Sequence, residues 1–337
     1  MNSDGYTVAV IGATTILGRE VRSVLHERRF PVAAWRLSAS DDRFDDEEDA
    51  EVPLERTDQV SLHGVDLAFL CSDDPRSVEV VRQAVESNSV AVDLVQAFSD
   101  QPDVPVVVPE VNAEAVAAYV NEGVLISPVA GAAALSIVLK PLDRAAQLRR
   151  VLVSSYEAAA SAGWKGVEEL AEQTRGLMGG QSVGPAVFPQ RMAFNLIPKT
   201  GDLLAAGKTV GEWRIESQTR RLLELPDLPI SVTSVRVPTF HGVGYTVNVE
   251  TEAPLDAVAA RDLLRAAPGI LLSEEESSSP YPTLIDALEM DATCVGRVRD
   301  DPTVPYGLNL WVTIDGSRKG GAVNAVQIAE LVIRDYL

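Results

Sequence analysis

Short apolar runs alternate with stretches of helical spacing through the first third of the chain. Tyr6-Thr-Val-Ala-Val-Ile-Gly12 reads as a buried strand. Residues 16–29 come next, with Ile16, Val21, Val24 and Leu25 on one helical face and a basic end suited to the helix dipole. Residues 34–37, 65–71 and 90–95 repeat the strand pattern, and 74–88 repeats the helical one. Strands and helices alternating across short turns predict a parallel sheet with right-handed crossovers. The alternation ends at Leu125-Ile-Ser-Pro-Val-Ala-Gly131, an apolar strand, a turn at Ser127-Pro128 and a helix opening near Gly131.

Beyond this point the pattern changes. Residues 150–156, 231–237, 243–250, 270–272, 293–299 and 308–314 read as strands. Helices are predicted over 166–178, 209–225, 255–267 and 322–337, and 187–200 is irregular, apolar and proline-bearing. The expected fold class is α/β. A dinucleotide-type domain spans 1–130 and takes back the last helix, 318–337. A mixed α+β domain spans 131–317.

Length agrees with this division, since 337 residues exceed one ordinary core. A hydrophobic fraction of 46% with 23% charged residues is that of a globular protein. No apolar run reaches the roughly 20 residues of a membrane helix, and the N-terminus lacks a basic segment followed by an apolar one. A cytoplasmic location is expected. Cys71 and Cys294 lie in apolar strand-like runs, as buried free thiols do, and no metal-ligand spacing exists. The net charge of −20 argues against nucleic acid and against anionic membrane surfaces. Only five of the 29 basic residues are lysine. A salt-tolerant source and an arginine-favouring genome with one acidic loop (residues 41–51) both account for that.

Two motifs carry candidate chemistry. Gly12-Ala-Thr-Thr-Ile-Leu-Gly18 follows a strand and opens a helix, the context of a dinucleotide loop. Its middle glycine position is Thr15, whose β-branched side chain crowds the approach of a pyrophosphate. The loop also reads as a plain strand-to-helix turn without a ligand. The second motif is the helix opening at Gly131, where unpaired N–H groups and the dipole lower a thiol pKa or hold an oxyanion. The turn before it holds Val129 and Ala130, neither of which has a nucleophilic atom.

The chain resembles the aspartate-semialdehyde dehydrogenase family from end to end. The matching segments are VAVIGATTILGREV, PDVPVVVPEVN, the ISP turn leading to LKPL, SSYEAAASAG, FPQRMAFNLIP, EWRIESQTRRLL, VRVPTFHG, VGRVR, GLNLWV and RKGGAVNAVQIAELV. The resemblance implies a Rossmann-type NAD(P)-binding domain, a dimerisation and catalytic-like domain, and reduction of an acyl phosphate through a cysteine thioester. It also places departures at each chemical position. The family nucleophile falls at Ala130, or at Val129 if the register slips by one, and the family base histidine at Val243. Ser127 is the nearest hydroxyl and has no identifiable base. His241 is expected to share a strand face with Val243. The family's glutamine is Glu157, and its phosphate-binding arginine is Ser99. The acids Asp41 and Asp42 replace contacts to the NADP 2′-phosphate, and the Asp-Asn that meets the nicotinamide is Asp315-Gly316. Arg236 keeps the substrate-carboxylate position and Arg214 a basic pocket position.

The implied reading is a Usg-type paralogue that keeps the fold without the catalytic pair: a pseudoenzyme and homodimer holding a small anionic metabolite or a protein partner. Vestigial cofactor positions are Gly12, Thr14, Thr15, Ile16, Gly18 and Asp41, and the pocket remnant is Glu157, Arg214 and Arg236. No tight cofactor is expected; the Asp41 replacement disfavours NADP and leaves NAD open. The alternative is an active NAD(P)-linked oxidoreductase acting on an aldehyde or acyl group, in amino-acid biosynthesis. Dimerisation is expected through an apolar sheet face built from residues 152–156, 232–237 and 246–249.

Overall fold

A computed structural model describes residues 5–39, 53–181, 183–273 and 280–337. The chain divides into two compact units, residues 1–129 with 320–337, and residues 130–319.

The first unit is built on β1 (Tyr6–Ile11), β2 (Val32–Ala39), β3 (Leu54–Arg56), β4 (Leu67–Leu70), β5 (Val90–Asp93) and β6 (Val124–Ile126). These pair in the order β3-β2-β1-β4-β5-β6, every pairing parallel. Strand order reverses at β1/β4, the switch point where such sheets bind ligands outside their carboxyl ends. Residues 8–11 of β1 and Leu67–Leu70 of β4 are uninterrupted apolar runs because both faces of a parallel sheet are covered. α1 (Ile16–Glu27) and α2 (Pro75–Glu86) are the crossovers. Each starts on a side-chain cap, Thr15 accepting from Gly18 N–H and Asp74 from Arg76 N–H. The last helix, α8 (Asn324–Asp335), joins the same core through Val326, Ile328, Ala329 and Val332, and Arg28 forms an ion pair with Glu330 at 2.7 Å. Strand β3, the short α3 (Pro109–Asn112) and the 3-10 turn Ala113–Asn121 escaped the periodicity, being too short to show a period.

The second unit begins with α4 (Ala130–Ala146) and contains α5 (Gly163–Met178), α6 (Val210–Leu223) and α7 (Ala257–Ala266). Its sheet holds β7 (Leu148–Glu157), β8 (Ile230–Arg236), β9 (Val243–Thr251), β10 (Ile270–Leu272), β11 (Thr293–Asp301) and β12 (Gly307–Ile314). The order is β10-β11-β12-β9-β7-β8, with β7/β8 and β10/β11 parallel and the other pairings antiparallel. Helix α4 is buried along nearly its whole length against α6, α7, β7, β9 and β12. Burial of its Leu135, Ile137, Val138, Leu139 and Leu142 contributes about 1.5–3 kcal/mol each.

Alternation divides this sheet into two faces. Val151, Val153 and Ser155 are buried together with Tyr245, Val247 and Val249. The opposite face carries Leu152, Ser154, Ser231, Thr233, Thr246, Asn248, Arg297, Arg299, Asn309 and Trp311, which line an open depression. The apolar face expected here is therefore a mostly polar one. Most valines of these strands fall at inward positions, whereas Ser154, Ser231, Thr233, Thr246, Asn248 and Asn309 fall outward.

The final helix also begins differently from its sequence reading: residues Arg318–Val323 form a π-type segment before α8 starts at Asn324. Among the described residues no helix is long and apolar enough to cross a membrane, and no group of three or more His, Cys, Asp or Glu is placed to hold a metal ion. Both cysteines are free and buried. Burial pushes the Cys71 thiol up, with the Asp93 charge adding to it.

Candidate functional site

In the first unit the turn after β1 is shaped by its two glycines. Gly12 has φ +91°, and a Cβ there would stand 2.6 Å from Ser72 Cβ. A Cβ on Gly18 would stand 2.1 Å from the Gly12 carbonyl oxygen, so α1 approaches the turn as only glycine permits. Thr15 turns its hydroxyl into the loop. It lies 2.9 Å from the Gly12 carbonyl oxygen and 3.0 Å from that of Cys71, donating to one of them, and accepts from Gly18 N–H at 3.0 Å. The crowding expected at Thr15 thus takes a definite form, in which the side chain consumes one helix-terminal donor. The N–H groups of Ile16 and Leu17 keep no acceptor among the described residues. Thr14 is buried. Asp41 and Asp42 lie outside the described residues.

Ser127 sits deep in the turn before α4. It is 1% exposed, and its hydroxyl oxygen accepts from the Asn324 side-chain amide at 2.9 Å. The same amide donates to the Val107 carbonyl oxygen. The Ser127 carbonyl oxygen accepts from Gln96 Nε2, and its N–H donates to the Asp93 carbonyl oxygen. The turn is tied into the first unit through its hydroxyl, carbonyl and N–H groups. Burial raises the Asp93 carboxyl above its ordinary range, opposed by the N–H groups of Phe98, Val95, Gln96 and Ala97.

In the second unit three positions singled out by the resemblance converge. A Cβ added to Gly316 would stand 3.2 Å from Val243 Cγ2 and 3.7 Å from Ala130 Cβ. The positions that the resemblance assigns to nucleophile, base and nicotinamide contact therefore meet at one point, where Ala130 and Val243 bring methyl groups to a bare glycine. Asp315 beside them is used structurally, accepting from Ser317 N–H, Arg318 N–H and the Ser317 hydroxyl.

The sheet carries this point outward along one row. Val243 on β9 pairs with Glu157 on β7, which pairs with Arg236 on β8. The Glu157 oxygens accept from the hydroxyls of Ser155 and Ser161, each at 3.2 Å. Burial raises the Glu157 carboxyl above its ordinary range, with Arg236 and the two serine hydrogen bonds opposing. Burial lowers Arg236, with Glu157 opposing. The two interact through space without a direct ion pair between them. The guanidinium lies over the Phe188 ring, 5.3 Å from its centroid, and donates weakly to the Ala158 carbonyl oxygen at 3.4 Å.

Arg214 is not joined to this pair by any hydrogen bond or ion pair among the described residues; its Nε is buried on α6 without an acceptor. His241 lies outside β9, which begins at Val243. Gly242, at φ +84°, separates it from the start of β9 and breaks the strand alternation on which that expectation rested.

Tyr245 was missed in the sequence. It is wholly buried, its hydroxyl has no partner among the described residues, and that hydroxyl lies 3.2 Å from the point where a Cβ on Gly131 would stand. Burial holds its pKa well above the ordinary value, and the Glu157 charge adds to the shift. The signal was its spacing: two residues after Val243 along a strand is the same inward face.

A family profile described as semialdehyde dehydrogenase, NAD binding domain, matches residues 7–119. A second, semialdehyde dehydrogenase, dimerisation domain, matches residues 139–319. The aspartate-semialdehyde dehydrogenase of Rickettsia conorii (strain ATCC VR-613 / Malish 7) is 36% identical over 98% of this chain and 99% of its own. That of Aquifex aeolicus (strain VF5) is 35% identical over 99% of each. The crystal structure of aspartate semialdehyde dehydrogenase II complexed with ASA from Vibrio cholerae superposes with a TM-score of 0.94 at 35% identity, covering 99% of this chain and 100% of that one. Agreement of this extent across both units leaves one assignment: the chain belongs to the aspartate-semialdehyde dehydrogenase family.

Proposed function

We propose that this protein is a catalytically inactive, Usg-type member of the family, with a regulatory or binding role in place of acyl transfer. The observation that carries the reading is the meeting of Ala130, Val243 and Gly316 at one point. A thioester route requires a thiolate to attack the acyl group and a base to manage its protons. Methyl groups do neither, and Ser127, the nearest hydroxyl in sequence, is committed to Asn324.

For a dinucleotide the fit is partial. The Gly12–Gly18 turn keeps its close approach, and the N–H groups of Ile16 and Leu17 would meet a phosphate, whereas Thr15 occupies the third donor. The chemistry a bound dinucleotide would supply is hydride exchange. The retained pair of donors is what favours the second reading, an NAD(P)-linked oxidoreductase of altered chemistry, which requires nucleotide binding; the first does not. Titration with NAD and NADP separates them.

In the proposed arrangement residues 1–130 with 318–337 serve as the dinucleotide-type domain. Residues 131–317 pair with a second copy through the open face of their sheet.

The test is the family reaction itself. The purified protein is expected to show no phosphate-dependent oxidation of aspartate semialdehyde with NADP, and the double variant Ala130→Cys, Val243→His to recover little, because Thr15, Ser99 and Gly316 stay unchanged. Turnover by the unmodified protein at ordinary enzyme rates would overturn the reading.

A further inference from the structure

Strand order in the first unit reverses at β1/β4, so the turns after these two strands form the lips of the crevice where such sheets take ligands. The lips lie close together: a Cβ on Gly12 would stand 2.6 Å from Ser72 Cβ and 2.9 Å from Ser72 N. A phosphate in a crevice of this kind is held by backbone N–H groups at the helix starts. The donors left open at the starts of α1 and α2 therefore decide whether a dinucleotide is held. At α2 the first turn leaves none open. Pro75 has no N–H, Arg76 N–H donates to Asp74 Oδ1 at 2.8 Å, and the N–H groups of Ser77 and Val78 donate to the Asp74 carbonyl oxygen. The Asp74 carboxylate is tied to the Arg76 guanidinium at 2.7 Å, and Asp73 beside it is exposed. Two carboxylates on one lip oppose a pyrophosphate by like charge.

At α1 the Thr15 hydroxyl plays the part that the Asp74 carboxylate plays at α2. It accepts from Gly18 N–H at 3.0 Å. It also lies within 3.0 Å of two carbonyl oxygens, Gly12 just past β1 and Cys71 just past β4. One side chain thus spans the two strands on either side of the switch point. A glycine at this position leaves that space to the pyrophosphate. Moving Thr15 aside breaks one donated and one accepted hydrogen bond, which a ligand has to repay before it gains affinity.

We propose that Thr15 and Asp74 are internal latches that close the switch-point crevice to dinucleotides, their oxygens taking the helix-start donors that phosphate oxygens would take. Thr15 is the deciding residue, because α1 keeps the N–H groups of Ile16 and Leu17 and lacks only the third donor and the space beside it. The proposal deepens the inactive-paralogue reading, on which it rests, by assigning the exclusion of nucleotide to two side chains of this chain. A protein latched in this way keeps the first unit in one state whatever the nucleotide concentration.

Isothermal titration calorimetry on the full-length protein tests it with ADP-ribose and adenosine. ADP-ribose carries the pyrophosphate without nicotinamide or 2′-phosphate, so the residues that would meet those groups do not enter, and adenosine carries no phosphate. The unmodified protein is expected to bind ADP-ribose no more tightly than millimolar. Thr15→Gly should bind it about tenfold or more tighter, in line with the release of one hydrogen bond, and should melt slightly lower without ligand because α1 loses its cap. Thr15→Ser keeps the hydroxyl and should stay closed. Asp74→Asn, added to Thr15→Gly, keeps the cap and removes the charge; its further gain should shrink as salt is raised. Adenosine should bind alike in every variant. Thr15→Ala removes the same hydroxyl and replaces Thr15→Gly in the comparison if a thermal melt shows the glycine variant unfolded. Micromolar ADP-ribose binding by the unmodified protein, no gain in Thr15→Gly or Thr15→Ala, a gain as large in Thr15→Ser, or a gain shared by adenosine would each overturn the proposal. None of these results touches the inactive-paralogue reading, which turnover of aspartate semialdehyde would remove whatever the calorimetry gives.

Discussion

At Glu157 a single side chain connects fold stability to the site. Its carboxyl is held above the ordinary glutamate range mainly by burial, so in the native state it keeps its proton more tightly than in the unfolded chain. Its titration therefore favours folding below the unfolded value of about 4.3, and that contribution is lost as pH rises through the folded value. Glu157→Gln removes the charge and keeps an acceptor for one serine. The variant should melt at a higher temperature than the unmodified protein at pH 7, and the difference should vanish below about pH 4. A melting-temperature gain that persisted into acid would assign it to packing instead. Residues of this kind divide what sequence can and cannot show. The absence of cysteine at Ala130 and of histidine at Val243 was visible once the flanking segments were recognised. The orphaned Tyr245 hydroxyl was not, because a tyrosine on an inward strand position looks like ordinary core until its neighbours are known. His241 misled for a related reason, since alternation holds only inside a strand and Gly242 ends it.

Helix α6 shows the same division at the scale of an element. Its hydrophobic and charged spacing is plain in the sequence, yet two of its charges are buried rather than solvated. The Glu212 carboxylate accepts from Ser234 N–H at 2.9 Å and from Thr209 N–H at 2.7 Å, and Glu216 accepts from Val232 N–H at 3.2 Å. Arg220 donates to the carbonyl oxygens of Leu228 and Ile230. Four helical residues advance about 6 Å and two strand residues about 6.6 Å, so an i, i+4, i+8 stripe meets alternate residues of β8. That strand is an edge of its sheet, and the stripe covers its unpaired groups. Helix α5 treats the irregular segment after it in the same way. Glu169 accepts from the N–H groups of Ala186, Val187 and Phe188, and Gln173 from those of Met192 and Ala193. No periodicity reports such contacts, because they join residues whose separation in sequence carries no pattern. Glu212→Ala removes a helix cap and an edge-strand acceptor at once. Urea unfolding should show a loss of about 2–4 kcal/mol with an unchanged m-value, the sum of the two effects. A loss under 1 kcal/mol would mean that water replaces both bonds.

For the whole molecule the charge balance decides how copies meet. Each chain carries a net charge of −20, so bringing two together sets a long-range repulsion against whatever the contact gains. The proposed contact surface, the open face of the second sheet, differs from that average. It carries Arg297 and Arg299 among neutral Ser, Thr and Asn side chains, with Leu152 and Trp311 as its large apolar groups. Short-range contacts there are polar and few acids intervene, whereas the repulsion comes from the rest of the surface and acts over longer distances. Salt screens the second more than the first: the screening length is about 30 Å at 0.01 M ionic strength and about 8 Å at 0.15 M. Association should therefore strengthen as salt is added, the opposite of an interface held by ion pairs. Sedimentation at micromolar concentration is expected to show a species of twice 36.1 kDa at physiological ionic strength, dissociating toward the single chain when salt is lowered. Thr246→Arg would add a third cation beside Arg297 and Arg299 and place its like in the facing copy. This variant should sediment as a monomer at every salt concentration and, at low salt where the unmodified chain is dissociated too, melt at the same temperature. A dimer that weakens with added salt, or one indifferent to Thr246→Arg, would place the contact elsewhere on the molecule.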